Sequence, residues 1–402
     1  MKRLQAYKYQ IKTNETQERI LRRFAGSCRF VWNKTLAMQK ERLDSKESCL
    51  SYNKIALLLP QWKVEHSFLK ESHSQVLQQA LMNLDRAIKD AFNKSNPKRF
   101  PIFKKRGKHD SFRFPQGFKL DQGNSRIYLP KIGWLQYRNS RIIEGTPRNV
   151  TVSQSGGHWY ISIQTEREVV QPVHPSTSII GIDVGITKLA TLSDGTIFES
   201  VNSFKRHHQR LARYQRDLAR KQRFSANWKK AKSKINRLHT RIANVRKDYL
   251  HKTTTIISQN HAIVCIEDLK IKNMSKSANG TIEKPGRNVK AKSGLNRSIL
   301  DQGWFEFRRQ LEYKEVWSGG EVIAVPARNT SRKCPVCDHI SADNRKTQAA
   351  FACVNCGYEN NADIVGAINV LAAGHAVLAC GEIAHLGYSM KQEPTEAIQA
   401  YA

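Results

Sequence analysis

Acidic residues are scarce in this chain. There are 34 Asp+Glu against 67 Lys+Arg, which leaves a formal charge of +33 over 402 residues. An excess of this size points to a polyanionic partner, nucleic acid before any other. A non-specific basic surface, or ribosome association, is the bland alternative. Cysteine is sparse too, and eight in so long a chain exclude a disulfide scaffold. No stretch reads as approaching ~18 consecutive apolar residues, and the start, MKRLQAYKYQIK, has no apolar h-region. Secretion and membrane spanning are therefore not expected; a reducing cytoplasm is, with nucleoid association when bound to DNA. Hydrophobic residues still make up 40%, enough for real cores, so wholesale disorder is excluded. At roughly 150 residues per domain, the length predicts two to four domains.

Residues 3–12 alternate and read as a strand, and Thr13 to Thr16 supply caps for a following helix. Val76, Leu77, Leu81, Leu84, Ile88 and Phe92 form a core-facing helical stripe that Asn96-Pro97 should end. From Lys94 to Arg113 cations interleave with Phe100, Phe103, Phe112 and Phe114. Lys104, Lys105 and Arg106 are candidates there for phosphate contact beside stacked bases. A basic loop pinned by core phenylalanines fits equally well. Asn149–Ser153 and Trp159–Gln164 flank Gly156-Gly157 as a hairpin. A small β-barrel built from the first strand and the later ones, with the helices inserted, is the expected first half. Residues 169–178, with Pro172 and Pro175, read as a linker.

The second half opens on IIGIDVGITKLATLSDGTIFE, three strands with an Asp194-Gly195 hairpin. Residues 204–258 read as long helices with an apolar seam at Ile235, Leu238, Ile242, Val245 and Tyr249. Between 205 and 252 seventeen cations face only Asp217 and Asp248, so Arg213, Arg220, Lys221, Lys229 and Lys230 are candidates for backbone contact. Residues 270–297 read as a mobile loop, with Ser298 and Asp301 starting the next helix as a capping box.

Cys334, Cys337, Cys353 and Cys356 form two CxxC pairs separated by fifteen residues. Each pair is a knuckle, and two knuckles close a four-sulfur zinc site with no open position. The zinc should therefore be structural. Cys28, Cys49, Cys265 and Cys380 have no such partners and read as inert fillers.

Three acids stand out by position. Asp183 ends a buried strand, Glu267 ends another, and Asp363 starts an apolar helix. Acids at such places cost desolvation unless paired or metal-bound. Convergence would suit two magnesium ions acting on a phosphodiester. Taken singly, each has a bland reading: turn residue, exposed strand end, N-cap. The order strand–hairpin–helices–strand–helix–strand–ribbon–helix suits an RNase H-like sheet.

These residues resemble the TnpB family, transposon-encoded nucleases similar to compact type V CRISPR effectors. The likeness runs to about residue 381. It is carried by GSCRFVWN at 26–33, PIFKKR at 101–106, LPKIGW at 129–134, GIDVGITKLA at 181–190 and RKDYLHK at 246–252. IEDL at 266–269, DQGWFEFRRQLEYK at 301–314, both CxxC pairs and ADIVGAIN at 362–369 complete it. One departure is Val365, where many relatives have Asn; Asn369 is retained.

The resemblance implies an α+β multidomain protein. A wedge-like β-barrel would span 1–12 and 110–168, with inserted recognition helices at 13–109. A RuvC-like nuclease domain would span 176–332 and 358–381, with the zinc ribbon at 333–357 and a disordered tail at 382–402. It implies a magnesium-dependent, RNA-guided DNA endonuclease with Asp183, Glu267 and Asp363 as metal ligands. The partners would be a guide RNA from the transposon end and double-stranded target DNA, with no membrane and a monomer favoured. Tyr52, Ser74, Gln78 and Asn83 would read a short DNA motif, and 270–297 would be a lid. A guided repressor without cleavage, an accessory transposase and a ribbon without chemistry are the alternatives.

Overall fold

A computed structural model describes residues 1–95 and 98–379. The expectations for Asn96-Pro97, Cys380 and 382–402 lie outside the described residues. Among those described, contacts separate two compact units, one ending at Val170 and the next starting at Gln171.

In the first unit β1 (Lys2–Lys12) runs directly into α1 (Glu15–Asp44). Alternation along β1 buries Tyr7, Tyr9 and Ile11. Asn14 caps α1, accepting from the Gln17 backbone N–H while the Gln17 side chain accepts from the Asn14 N–H. Next come α2 (Tyr52–Ala56), α3 (Leu59–Glu65) and α4 (Ser74–Ala91). The α4 stripe is buried from Val76 to Ile88, while Phe92 caps the helix and is exposed.

Six strands follow: β2 (Ser111–Phe114), β3 (Lys119–Asp121), β4 (Arg126–Leu129), β5 (Gly133–Tyr137), β6 (Thr146–Ser155) and β7 (His158–Glu168). With β1 they make one antiparallel sheet in the order β2-β6-β7-β1-β5-β4-β3. β1 pairs with β7 from Lys2 to Gln10 and with β5 only at Ile11 and Lys12. The first strand is therefore central, and the sheet changes partner at its end. Most of the helices' core is shared with the sheet. Leu21, Phe24, Val76 and Leu77 share one cluster with Tyr9, Phe114, Val150 and Ile161. A smaller helical cluster holds Trp32, Leu36, Leu84 and Ile88.

The second unit begins with β8 (Ile179–Asp183), β9 (Lys188–Leu192) and β10 (Ile197–Glu199), then α5 (Ser203–Ala219) and α6 (Ala226–Asn260). β11 (Ile263–Glu267), α7 (Ile271–Met274), α8 (Val289–Gln302), α9 (Trp304–Ser318) and β12 (Glu321–Val325) follow. β13 (Ala350–Ala352), β14 (Glu359–Asn361) and α10 (Ala362–Ala379) complete it. The main sheet has the order β10-β9-β8-β11-β12. β8, β11 and β12 are parallel, and β9 and β10 join antiparallel. Strands covered on both faces read as continuous apolar runs, as IIGID and IVCIE do. Ile180, Ile182, Val264 and Ile266 pack with Leu250, Ile257, Phe307 and Leu311 of the helices on one face. Cys265, Ile323 and Val325 pack with Val370 of α10 on the other.

Glycine sets how close α10 lies. A Cβ at Gly181 of β8 would fall 2.2 Å from the Ala367 carbonyl oxygen and 2.6 Å from the Leu371 nitrogen. Both are backbone atoms, so no side-chain rotation relieves the clash. Gly181→Ala is expected to cost about 3 kcal/mol by overpacking. A melting curve checks this, and an unchanged Tm would show that α10 is not seated on β8.

Three expectations need correction. Residues 289–297 are helical, not loop, because α8 starts after Asn288; only the stretch before it lacks long elements. Ser298 therefore lies inside α8 and starts nothing. Asp301 does cap a helix, but a distant one. Its carboxylate accepts from the backbone N–H of Phe204 at 2.9 Å and of Lys205 at 3.2 Å at the start of α5. The third concerns apolar length, for α10 has 18 residues at mean hydropathy 1.6, long and apolar enough to cross a membrane. Its contacts with β8 and β11 are those of a core helix.

Candidate active site

β8 and β11 are parallel neighbours with Ile182 opposite Ile266, so Asp183 and Glu267 leave the same end of the sheet side by side. Asp183 faces α10, as Gly181 does two residues earlier. A Cβ at Gly366 would lie 3.2 Å from the Asp183 Cγ. This second glycine lets the helix carrying Asp363 come against the carboxylate. The three acids therefore converge. The bland reading of Asp363 as an N-cap fails, since Asn361 does that work, accepting from the Asp363 N–H at 3.0 Å.

Burial pushes the Asp183 carboxyl up to about 7, helped by repulsion from Glu267 and Asp363 and opposed by Arg345. Burial also raises Glu267, against a 2.6 Å hydrogen bond donated by the Thr330 hydroxyl to its Oε1. Cations answer this charge. Arg345 Nη2 lies 3.3 Å from Asp363 Oδ1, and Lys188 Nζ lies 3.6 Å from Oδ2. Half-buried carboxylates gathered around Asp183, two of them repelling it, fit divalent metal ions, hard cations that take oxygen ligands.

The raised Asp183 has a consequence for stability. Between the ordinary aspartate range and about 7 the folded state holds more protons than the unfolded chain, so this contribution falls as pH rises. Relative to Asp183→Asn, the metal-free wild type is expected to lose Tm between about pH 4 and 7. Parallel curves for the two proteins would contradict this electrostatic picture.

Sequence reasoning missed Arg345 and Thr330. Nothing separates Arg345 from the other cations of a basic chain; only folding of the ribbon places it on Asp363. Thr330 is held by Asn369, whose Nδ2 donates to the carbonyls of Thr330 at 2.7 Å and Lys333 at 2.8 Å. The retained Asn369 thus ties α10 to the start of the ribbon. Val365, at the departure from the family pattern, is buried with Cys334, Phe351 and Cys353.

The four ribbon thiols lie within 4.8 Å of one another. Cys334 and Cys356 sulfurs are 3.6 Å apart, as are those of Cys337 and Cys353. Bonds of about 2.3 Å in a tetrahedron need sulfurs roughly 3.8 Å apart, so the cluster could bind zinc. The backbone N–H of His339 helps draw the Cys337 thiol down, while the neighbouring Cys356 thiol is pushed up beside it.

The candidates for nucleic-acid contact are not all alike. Lys104 does not present its charge to solvent. Its ammonium sits 3.9 Å from the Trp32 ring centroid and burial lowers its pKa, while Asn33 bonds its backbone on both sides. Lys105, Arg106, Arg213, Arg220, Lys229 and Lys230 are exposed, and Lys221 pairs with Asp217 at 2.7 Å. Phe112 and Phe114 are core residues of β2. Tyr52 and Asn83 line one cleft of about 430 Å³ with Gln79 and Arg86. Gln78 is not among its lining residues, and Ser74 lies elsewhere, accepting from Lys63 Nζ at 2.7 Å.

Three regions match known families. Residues 162–278 match the one described as "Probable transposase", 304–370 the "Cas12f1-like, TNB domain", and 1–48 a "Helix-turn-helix domain". The chain is 60% identical over 404 residues to InsQ of Escherichia coli (strain K12), named for RNA-guided DNA endonuclease activity, and 100% of each chain is covered. The chain belongs to this family. The family likeness read from its motifs, to about residue 381, lies within this match. A family member from Streptomyces pristinaespiralis, named for the same activity, is 34% identical over 407 residues, 98% of this chain and 96% of the relative. Among solved structures, the cryo-EM structure of a Cas12f1-sgRNA-target DNA complex is similar at TM-score 0.54 and 13% identity. It covers 92% of this chain and 99% of that one, a likeness of fold. Within the family's 1–48 region the chain forms β1 and the single helix α1 rather than two helices and a turn.

Proposed function

We propose that this chain is an RNA-guided, magnesium-dependent DNA endonuclease of transposon type. The observation that carries the proposal is that Asp183 and Glu267, at one end of the second unit's central strands, lie with Asp363 of α10 in a chain 60% identical to InsQ. In this reading the sheet is a RuvC-like, RNase H-like nuclease core spanning 176–332 and 358–381, with the ribbon at 333–357 holding structural zinc. The first unit is a wedge-like barrel, 1–12 and 110–168, carrying the recognition helices of 13–109.

Asp183, Glu267 and Asp363 would hold two magnesium ions, which supply an activated water and stabilise the leaving oxygen of the phosphodiester. The protein's own groups do the rest. Thr330 fixes the rotamer of Glu267 by donating to Oε1. Gly366 keeps α10, and so Asp363, against Asp183. Arg345, already beside Asp363, is placed to meet a phosphate oxygen. Guide RNA and target DNA would be followed by the basic face of α5 and α6, where Arg213, Arg220, Lys229 and Lys230 are exposed. Tyr52 and Asn83, which share a cleft, are the better placed of the four motif-reading candidates.

The test is cleavage of a duplex matched to the bound RNA. Cutting in magnesium that stops with chelator supports the reading. Tight guided binding without cutting, across divalent metals, would replace it with a guided repressor. Strand-transfer products formed without RNA would replace it with a transposase.

A further inference from the structure

The turn between α5 and α6 carries a side chain that folding alone does not explain. Phe224 has φ +69°, a left-handed conformation that costs a non-glycine residue energy, and it is 63% exposed. Its ring lies 5.5 Å from that of Trp228, tilted by 58°. The Arg223 guanidinium sits 4.9 Å from the Phe224 centroid, and the Lys232 ammonium 4.9 Å from that of Trp228. Neither ring belongs to the cluster of Leu211, Ile235, Leu238 and Ile242 that joins the two helices. The turn itself is built by Ser225, whose Oγ accepts from the Trp228 N–H at 3.1 Å. The rings are therefore not needed to close the hairpin.

Charge says what would cover them. Lys229 and Lys230, the two residues after Trp228, are exposed on α6, and Arg223 and Lys232 are the cations against the rings. The two acids of residues 205–252, Asp217 and Asp248, are each paired one turn away, with Lys221 and Lys252. Rings interleaved with cations, with no acid to balance them, suit a strand whose bases stack while its phosphates meet lysines.

We propose that Phe224 and Trp228 form a stacking platform for unpaired bases of a nucleic-acid strand, whose phosphates meet Arg223 and Lys232. The platform requires a single-stranded partner but not the nuclease activity, so it stands or falls independently of catalysis.

The experiment uses the full-length protein freed of nucleic acid. The probes are a 20-base-pair duplex with a three-nucleotide overhang bearing 2-aminopurine, in DNA and RNA versions, and its blunt counterpart. Wild type is expected to quench the overhang fluorophore. Replacing both rings with alanine should abolish quenching and weaken overhang binding about tenfold or more, with blunt-duplex affinity unchanged. Arg223→Ala with Lys232→Ala should weaken both probes and flatten the salt dependence. The DNA and RNA versions tell which strand is preferred. Phe224→Gly separates function from folding, since glycine relieves the positive φ while removing the ring. It should keep or raise Tm and still lose quenching. A fall in Tm with quenching intact would make the ring a packing residue and overturn the proposal. So would overhang binding and quenching unchanged in the alanine variant.

Discussion

Asp183→Ala is expected to lower cleavage on the order of a thousandfold or more while leaving nucleic-acid affinity intact. Removing one of three metal-binding carboxylates forfeits several kcal/mol of transition-state stabilisation, and each 1.36 kcal/mol is tenfold in rate. The same change should not harm the fold. Asp183 is half-buried, desolvated and repelled by Glu267 and Asp363, so its loss relieves a penalty in the metal-free protein. Cleavage with the cognate RNA, filter binding and a melting curve together decide it. A reduced Tm with cleavage near wild type would make Asp183 a structural residue at a strand end.

The second large effect is at the zinc ribbon. Cys334→Ser is expected to release the metal, open the ribbon to protease and reduce cleavage about a hundredfold. The ribbon's apolar cluster is Phe351 with the cysteines and Tyr358, closed by Ala362 and Val365 of α10. It is too small to hold a fold without metal, whereas zinc contributes roughly 10–16 kcal/mol in such modules. The damage would travel by two routes. Arg345 lies on the ribbon and reaches Asp363, and Thr330 precedes it and bonds Glu267. Metal analysis, limited proteolysis and cleavage assays measure each step. A zinc-free ribbon that resists protease and supports full cleavage would separate the two sites.

Much of this site was legible because its signals are local. CxxC spacing is a turn geometry, and Asp194-Gly195 between alternating runs forms the β9–β10 hairpin of the fold. The acids stood out at the ends of apolar strands because burial makes a carboxylate there costly. What escaped is tertiary. Asp301 reads as the start of its own helix, yet it caps α5 from nearly a hundred residues away, and no local pattern records that pairing. Lys104 reads as a phosphate ligand, yet its ammonium rests on Trp32, because a lone cation in a basic segment does not reveal which ring will cover it. Arg345 and Thr330 became visible only when the ribbon folded back on α10. The sheet of the first unit was legible as strands, but its order, with β1 between β7 and β5, depends on pairing between distant segments.

The most direct measurement concerns guidance. The RNA that co-purifies with the protein from its native locus would be sequenced, and its guide segment then rewritten to match a second duplex. The account predicts a defined transcript from the element's end, and a magnesium-dependent cut that moves to the new duplex and leaves the old one intact. A cut that stays where it was, or a protein that carries no defined RNA, would contradict it.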